Sequence, residues 1–545
     1  MTKQSTQNFW SLAVLFVVFC WHIGRFVNDF YVPESDFFDF RDKAIALRHG
    51  EWPNDFKRPP LYASLIAAVS LAINHPEREL YAAEAINVIA AIAAFLMFYL
   101  IARRFFDRTA LVLLWVWAFH PSTVRMAVKP KSEIVVTALI LTAFYLFLRG
   151  RKTTYLVGFL ASLVRYEGVL IIAAVAAADF FTAPKKLKTV GYALLSGGFI
   201  VLWTLLQPKG SGGGSYFDYF ENYHLNWQFL RTFWEGFIGF LPSPLFKFGV
   251  LAGAWWSAAG LIALFRRDRR TAYALSLFLI GFMAMHIVWP MPNADYQVII
   301  VWSALLMISA GVASIAQTAV LRHAYQKIVT FLSNRYATIF TLFLLLCLAI
   351  LALQPRSFPQ YQVQWRILCL TLTPVLFVSV LLRVHYRRPA AVLLLQAAFL
   401  GVVAFWMSST TSAQQFDIRY SKAEFRLTGE WFAEHYRAGM KAAVEQPYIV
   451  AYYAGLPQSA FVRLTELPAA SPADLHRWLQ ENGVTHIIWL SANRIFETDN
   501  AWYRWKMANR GWKTIDFLSG GENSAGFTLV ETIVIGPRTA YIYAV

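Results

Sequence analysis

Asp36 and Asp39 open a polar stretch, Glu34 to Tyr62, that reads ESDFFDFRDKAIALRHGEWPNDFKRPPLY and lies between two apolar blocks. Mixed charge, aromatic residues and the stiff pair Pro59-Pro60 beside hydrocarbon mark a binding or catalytic loop more than a passive connector. Asp36 is followed by Phe37 and Phe38. Apolar neighbours desolvate a carboxylate in part, raise its proton affinity and suit it to act as a base. Glu34, Asp42, Glu51 and Asp55 are explained well enough as solvated loop charge.

Two further groups carry candidate chemistry. Between His120 and Glu133 stand Arg125, Lys129, Lys131 and Glu133 itself. They read either as charge snorkelling at a membrane interface or as cations for a phosphate with an acid in support. The interfacial reading covers Arg125 and Lys129 well and Glu133, which begins an apolar helix, less well. Arg165-Tyr166-Glu167-Gly168 sits in the turn of an apolar hairpin. Ionisable groups there are costly unless paired or wet, so they mark a functional site by default. A mutual structural ion pair accounts equally well for Glu167. His22 and His286 fall in apolar helices and read as satisfied core histidines. No Walker motif, GxGxxG, HExxH or GxSxG occurs in context, so nucleotide-driven transport, metalloprotease and serine-hydrolase readings lack their motifs.

The elements that must position these groups are membrane helices. The chain has 545 residues, 57% of them hydrophobic and 17% aromatic, with a mean hydropathy of +0.45. It is too apolar for a soluble protein of this size, and its apolar residues come in long blocks: a polytopic α-helical membrane protein. The net charge of +17 does not point to nucleic acid, because the basic residues form small clusters at alternate loops, which is an orientation signal. Cys20, Cys347 and Cys369 lie inside apolar blocks and form neither a disulfide framework nor a metal-ligand spacing.

The length a span needs gives thirteen candidates, near 9–27, 82–102, 109–121, 133–149, 154–165, 168–183, 189–206, 247–265, 271–289, 296–316, 336–353, 366–383 and 389–407. The pair 154–165 and 168–183 is expected to form a hairpin buried among other helices. The first block reads as a retained span and not a removed signal peptide. A cytoplasmic N-terminus puts every basic cluster on one side and the Asp36 loop, His120–Ser132, 207–246, Pro290–Asp295 and Gln354–Trp365 on the other. Residues 1–410 are thus expected to be a transmembrane catalytic domain, with the loop 28–60 catalytic, and Phe40 to Leu47 a short amphipathic helix on the membrane surface. Residues 411–545 are expected to be a small extracytoplasmic α/β domain. Its expected elements are a helix over Lys422–Met440, a strand over Tyr448–Tyr453, a helix over Ala473–Asn482, a buried strand over His486–Leu490 and a closing hairpin over Phe527–Ile535 and Thr539–Val545.

An acidic motif in the first outer loop, followed by A-x-A-L-x-x-G (Ala44 to Gly50) and R-P-P-L-Y (Arg58 to Tyr62), resembles the GT-C superfamily of polytopic glycosyltransferases. The similarity is to the branch of protein O-mannosyltransferases and lipid A aminoarabinose transferases. It covers residues 9–310, and the tail in architecture only. The resemblance implies a catalytic aspartate about two turns ahead of the A-x-x-L-x-x-G helix, matched by Asp36 better than by Asp39. It also implies a second acid after the third span, matched by Glu133, and an arginine-bearing turn after the fifth, matched by Arg165. Two positions depart from the pattern: Phe37 stands where many relatives have a second acid, and Asp295-Tyr296 where an Arg-Tyr pair is common.

The same resemblance implies a polyprenyl-phosphate sugar donor and transfer at the outer face of the plasma (inner) membrane to an acceptor glycan, lipid or protein, and in-line displacement with inversion is the expected course. Asp36 would be the base, with Asp39 and Glu133 orienting sugar or acceptor. Arg58, Lys131 and Arg165 would hold the phosphate, and Tyr62, His120 and Glu167 would contact substrate. The scheme needs no metal and no cofactor, and membrane lipids are the surrounding partners. A lipid-linked saccharide transporter or flippase is the alternative; it calls for internal pseudo-symmetry and broken helices at the midplane, and the sequence shows no repeat. A scaffold with a binding domain would need no convergence of Asp36, Glu133 and Arg165.

Overall fold

The computed structural model describes residues 3–27, 32–33, 35–52, 58–106, 110–182, 186–206, 243–287, 294–316, 419–468, 471–491 and 511–545, with a few positions in 233–237 and 407–412. The expected spans near 336–353, 366–383 and 389–407 lie outside these residues, as do the basic loops between them. The chain divides into two compact units, one of residues 1–25 and 46–412 and the other of residues 26–45 and 413–545.

The first unit is helical. Its elements are α1 (Lys3–Gly24), α3 (Leu61–Ser70), α4 (Arg78–Phe106), α5 (Ala110–Phe119), α6 (Pro121–Val128), α7 (Glu133–Leu148), α8 (Thr153–Val164), α9 (Val169–Thr182), α10 (Lys186–Leu206), α11 (Ser243–Arg267), α12 (Arg269–Ile287) and α13 (Val298–Ala316). The helix α2 (Ser35–Arg48) precedes α3 and runs across the division between units. Helices occupy every expected apolar segment up to residue 316. Among the described residues, four are long and apolar enough to cross a membrane: Arg78–Phe106, Gly249–Arg267, Arg269–Ile287 and Asp295–Ser314. At a rise of about 1.5 Å per residue, the 29 residues of α4 more than cover the roughly 30 Å of hydrocarbon a span must cross. Its buried face is rich in alanine (Ala82, Ala83, Ala90, Ala91, Ala94), which lets α3, α5 and α7 approach closely.

Two breaks in the helices matter. The stretch His120–Ser132, expected as a loop, is partly helix: α5 and α6 are one apolar run bent by 58°. Pro121 cannot continue α5, and it holds His120 extended (φ −60°, ψ 128°), so the chain restarts in a new direction with Pro121 in the first turn. The second break is at Arg165, which is extended (φ −151°, ψ 144°) between α8 and a single turn of 3-10 helix, Tyr166–Gly168. That turn brings the chain back against the end of α8 so closely that a Cβ on Gly168 would fall on the backbone of Ala161 and Ser162. The expected hairpin of 154–165 and 168–183 is this pair. Elsewhere α11 crosses α13 at Gly260 and Gly311, where a Cβ on either would strike the backbone of the facing helix.

The second unit is α/β. A five-stranded sheet runs in the order β2-β1-β3-β5-β4, made of β1 (Ala442–Val444), β2 (Phe461–Arg463), β3 (His486–Leu490), β4 (Thr528–Ile535) and β5 (Arg538–Ala544). β1 pairs in parallel with β2 and β3, whereas β5 is antiparallel to both β3 and β4. Alternate residues of β1 and β3 enter two different cores: Ala442, Val444, Ile488 and Leu490 join one, and Ala443, Ile487 and Trp489 the other. The first core also holds residues of α14 (Ala423–His435), α15 (Pro447–Ala454) and the start of α2, and the second those of α16 (Pro472–Glu481) and the 3-10 segment Gly511–Gly520. Helices therefore cover both faces of the sheet.

The strand expected over Tyr448–Tyr453 is the helix α15. Its Tyr, Ile and Val residues favour strands as a composition, but Pro447 in the first turn and left-handed Gly455 (φ 62°) just past its end are helix start and stop signals that outweigh that preference. The surface helix expected over Phe40–Leu47 is longer, beginning at Ser35, and buries Phe37, Phe38, Phe40, Lys43 and Ala44. Phe38 packs edge-on against Tyr448 and Tyr452.

Candidate active site

The bend at His120 and the break at Arg165 aim two sets of charged side chains into the interior of the helical unit. Arg125 projects from α6, and Lys129 and Lys131 come after it in the short connection to α7. All three reach one carboxylate. Asp295 Oδ1 accepts from Arg125 at 2.8 Å, and Oδ2 lies 2.6 Å from Lys131 Nζ and 3.6 Å from Lys129 Nζ. Each of these side chains is largely or wholly buried. The snorkelling account of Arg125 and Lys129 is therefore overturned: their charges turn inward and meet an acid.

The connection that carries the two lysines is held by its own polar frame. Asn87 of α4 donates through Nδ2 to the backbone carbonyls of Lys129 and Lys131, and its Oδ1 accepts from the Tyr62 hydroxyl at 3.0 Å. Tyr62 and Asn87 are fully buried, so the pair spends its hydrogen-bonding capacity within the protein and fixes where the lysines begin.

A second centre has the opposite balance. Arg165 lies 2.7 Å from Glu167 and 3.0 Å from Glu133, and it reaches Ser132 Oγ at 3.3 Å. Side-chain exposure is only 10% for Arg165, 2% for Glu133 and 11% for Glu167, so the three charges depend on one another. The guanidinium also lies 5.0 Å from the ring centre of Tyr296, next to Asp295. Tyr296 in turn meets His286, whose Nδ1 engages the Phe282 carbonyl at 2.9 Å. The 3-10 turn Ala294–Gln297 thus touches both centres, and Gln297 also meets Ser122 Oγ of α6 at 3.4 Å.

The remaining candidates are placed as follows. His120 caps α6, its Nδ1 accepting from Ser122 N at 3.2 Å while Nε2 engages the Phe237 carbonyl at 2.9 Å, so both ring nitrogens are used inside the protein. Arg58 lies just ahead of α3 and is half-buried. Asp36 and Asp39 belong to the part of α2 grouped with the C-terminal unit. Asp36 is half-buried in the first turn, where a helix N-terminus favours an anion. Asp39 lies 3.0 Å from the buried Lys43 one turn on. Among the described residues no three His, Cys, Asp or Glu side chains are grouped to hold a metal ion.

Sequence reasoning missed Asp295 as a site residue and noted it only as a departure from a motif. Its signal was available: a lone acid at the mouth of an apolar span, across from a segment with three cations and no acid before Glu133. Asn87, a polar residue within an otherwise apolar helix, carried a signal of the same kind.

No protein-family model matches the chain, and no curated protein sequence matches it. Solved structures do. The crystal structure of ArnT from Cupriavidus metallidurans bound to undecaprenyl phosphate superposes with a TM-score of 0.55 at 12% identity, over 99% of this chain and 98% of that one. The apo form of the same protein gives 0.54 at 12% identity, over 100% and 98%. The Archaeoglobus fulgidus oligosaccharyltransferase in its apo form gives 0.53 at 11% identity, over 89% of this chain and 70% of that one. The chain therefore shares its fold with these structures, with ArnT over nearly its whole length, in line with the fold that the resemblance implied.

Proposed function

We propose that the chain is a membrane glycosyltransferase that moves a sugar from a polyprenyl-phosphate donor to an acceptor at the outer face of the membrane, with inversion. The observation that carries this reading is the buried convergence of Arg125, Lys129 and Lys131 on a single carboxylate, within a fold shared over nearly its whole length with a protein crystallised with undecaprenyl phosphate. Buried cations gathered at one point are what an anionic leaving group requires.

In this mechanism Asp36 takes the proton of the acceptor hydroxyl as its oxygen bonds to the anomeric carbon. The bond from that carbon to the phosphate oxygen breaks, and its electron pair leaves with the phosphate, which needs no strong acid to depart. Lys131 and Arg58 hold the phosphate, joined by Arg125 and Lys129. Arg165, shared between two carboxylates, is better suited to orient Glu133 than to grip a second anion, and Glu133 and Asp39 then align sugar or acceptor. Tyr62 acts through Asn87 on the lysine-bearing segment. His120 shapes the bend that aims Arg125, and Glu167 sets the charge of Arg165. The C-terminal unit is extracytoplasmic in this reading and the N-terminus cytoplasmic.

The test is Asp36→Asn in liposomes supplied with polyprenyl-phosphate sugars extracted from membranes, with transferred sugar read by mass spectrometry. Loss of a general base predicts a fall in kcat of at least roughly a hundredfold with the protein still folded. Near-normal turnover would remove Asp36 from the role. Release of free polyprenyl phosphate by the unaltered protein separates an enzyme from a transporter.

A further inference from the structure

Asp295 occupies the place among the cations that an anionic group of a ligand would take. Its two oxygens divide three cations between them, Arg125 on one and Lys129 and Lys131 on the other, at 2.8, 3.6 and 2.6 Å. That is how a phosphate with several oxygens is held. The acid comes from a different element than the cations, a 3-10 turn that leads into α13. It is therefore not a by-product of local sequence.

The charges of the proposed reaction, on whose reading this inference rests, give that acid a role. A polyprenyl-phosphate sugar is a phosphodiester with one negative charge. After transfer the lipid carries a phosphomonoester, with a charge of about −1.5 to −2 near neutral pH. Three cations without a resident acid would grip the product more tightly than the donor, and turnover would stall on product release. A fixed carboxylate within the cluster weakens the hold on any anion, and weakens it more for the more highly charged one.

We infer that Asp295 is the resident counter-ion that sets phosphate affinity in this site and biases it against the spent lipid phosphate. It is a tuning residue and takes no part in bond making. Asp295→Asn removes the charge and keeps the shape. Inhibition of sugar transfer by added polyprenyl phosphate should become roughly tenfold tighter or more, the KM for donor should fall by less, and kcat should fall as release becomes limiting. Asp295→Glu should restore wild-type inhibition in part, because it returns the charge while disturbing the packing, whereas a merely structural role would leave inhibition unmoved in both variants.

Three cations around an amide repel one another, so a charge-balanced pair supplies a second route if the single variant does not fold. Product affinity of Asp295→Asn/Lys129→Met is compared with that of Lys129→Met alone, and the same tightening is expected between them. Product affinity unchanged or weaker on loss of the Asp295 charge, in a folded protein, overturns the inference. Binding of polyprenyl phosphate to nanodisc-embedded protein is measured in parallel and does not depend on turnover. Absence of sugar transfer by the unaltered protein would count against the proposed reaction, while the binding comparison would still decide the role of Asp295.

Discussion

The two ion centres of the helical unit are opposites in charge. Around Arg165 two buried carboxylates share one cation; around Asp295 three buried cations share one carboxylate. The same turn, Ala294–Gln297, touches both through Tyr296 and Asp295. A buried charge is tolerated only with a partner, so the two centres differ in what the loss of one member leaves behind. Remove Arg165 and two acids lose a shared cation. Remove Lys131 and the acid still has two. The first centre has the build of a structural knot that holds Glu133 in place, and the second, under the proposed function, is a site whose members can be exchanged for those of a ligand.

The largest effect expected from this difference is on Arg165→Met. It strips the cation from Glu133 and Glu167 together and should cost roughly 3–5 kcal/mol of stability, the usual cost of breaking a buried pair from one side. Thermal unfolding in detergent measures it. Arg165→Lys keeps the charge but cannot present the planar fork to both acids, so it should fall between. If Arg165→Met were no less stable than the wild type, the first centre would not be a knot.

Lys131→Met is the counterpart. Asp295 keeps Arg125 and Lys129, so the stability loss should stay near 1–2 kcal/mol, while KM for the lipid donor rises on the order of tenfold. Unfolding and donor titration on one preparation check both halves. A stability loss larger than that of Arg165→Met, with KM unchanged, would reverse the assignment of the two centres.

Much of the fold was legible in the sequence, and the failures share a cause. Apolar blocks announce helices because each is long enough to give a signal by itself, and α1, α4, α5 and α7 to α13 fall where such blocks were expected; α3, only ten residues long, lies in none of the thirteen candidates, and α6 lies in a stretch expected as a loop. His486–Leu490 was legible as a strand because four of its five residues are large and apolar. β1 and β2, three residues each, are too short to show any period, and α15 was hidden by its strand-forming composition. Within the site, Glu133, Arg165 and Glu167 were findable because a charge inside an apolar helix is costly and so conspicuous. Asp295 was not singled out, since a single acid in a short loop looks solvated until the fold brings three distant cations to it. Contacts separated by more than a hundred residues have no local signature.

A smaller effect tests whether the cation centre depends on its frame. The Tyr62 hydroxyl donates to Asn87, and Asn87 holds the backbone of Lys129 and Lys131. Tyr62→Phe removes one buried hydrogen bond and should cost about 1 kcal/mol. If the frame sets the lysines, the KM for donor should rise a few-fold with kcat little changed. Asn87→Ala, which frees both carbonyls, should do more. A Tyr62→Phe protein with unaltered KM would show that the lysines find Asp295 without the frame, and the second centre would then be looser than the contrast with the first requires.

The least effect concerns the C-terminal unit, which handles a half-buried ionisable group in a third way, by disfavouring its charged form. His486 opens β3 between Trp431 and Phe432, with Nδ1 at 2.9 Å from Thr485 Oγ1. Burial among these groups holds its imidazole below the ordinary value of 6.5. The unfolded chain therefore binds a proton at a higher pH than the folded one, and the sign is fixed: the contribution to stability is complete above about pH 6.5 and is lost as pH falls from there toward the folded value. Hydrogen exchange of the β3 amides in the full-length protein, corrected for intrinsic rates, should show protection dropping as pH is lowered below about 6.5, and His486→Gln should flatten that drop. No flattening would mean that the pH response comes from other groups, and that pairing, as at Arg165 and Asp295, is how this chain deals with charge throughout.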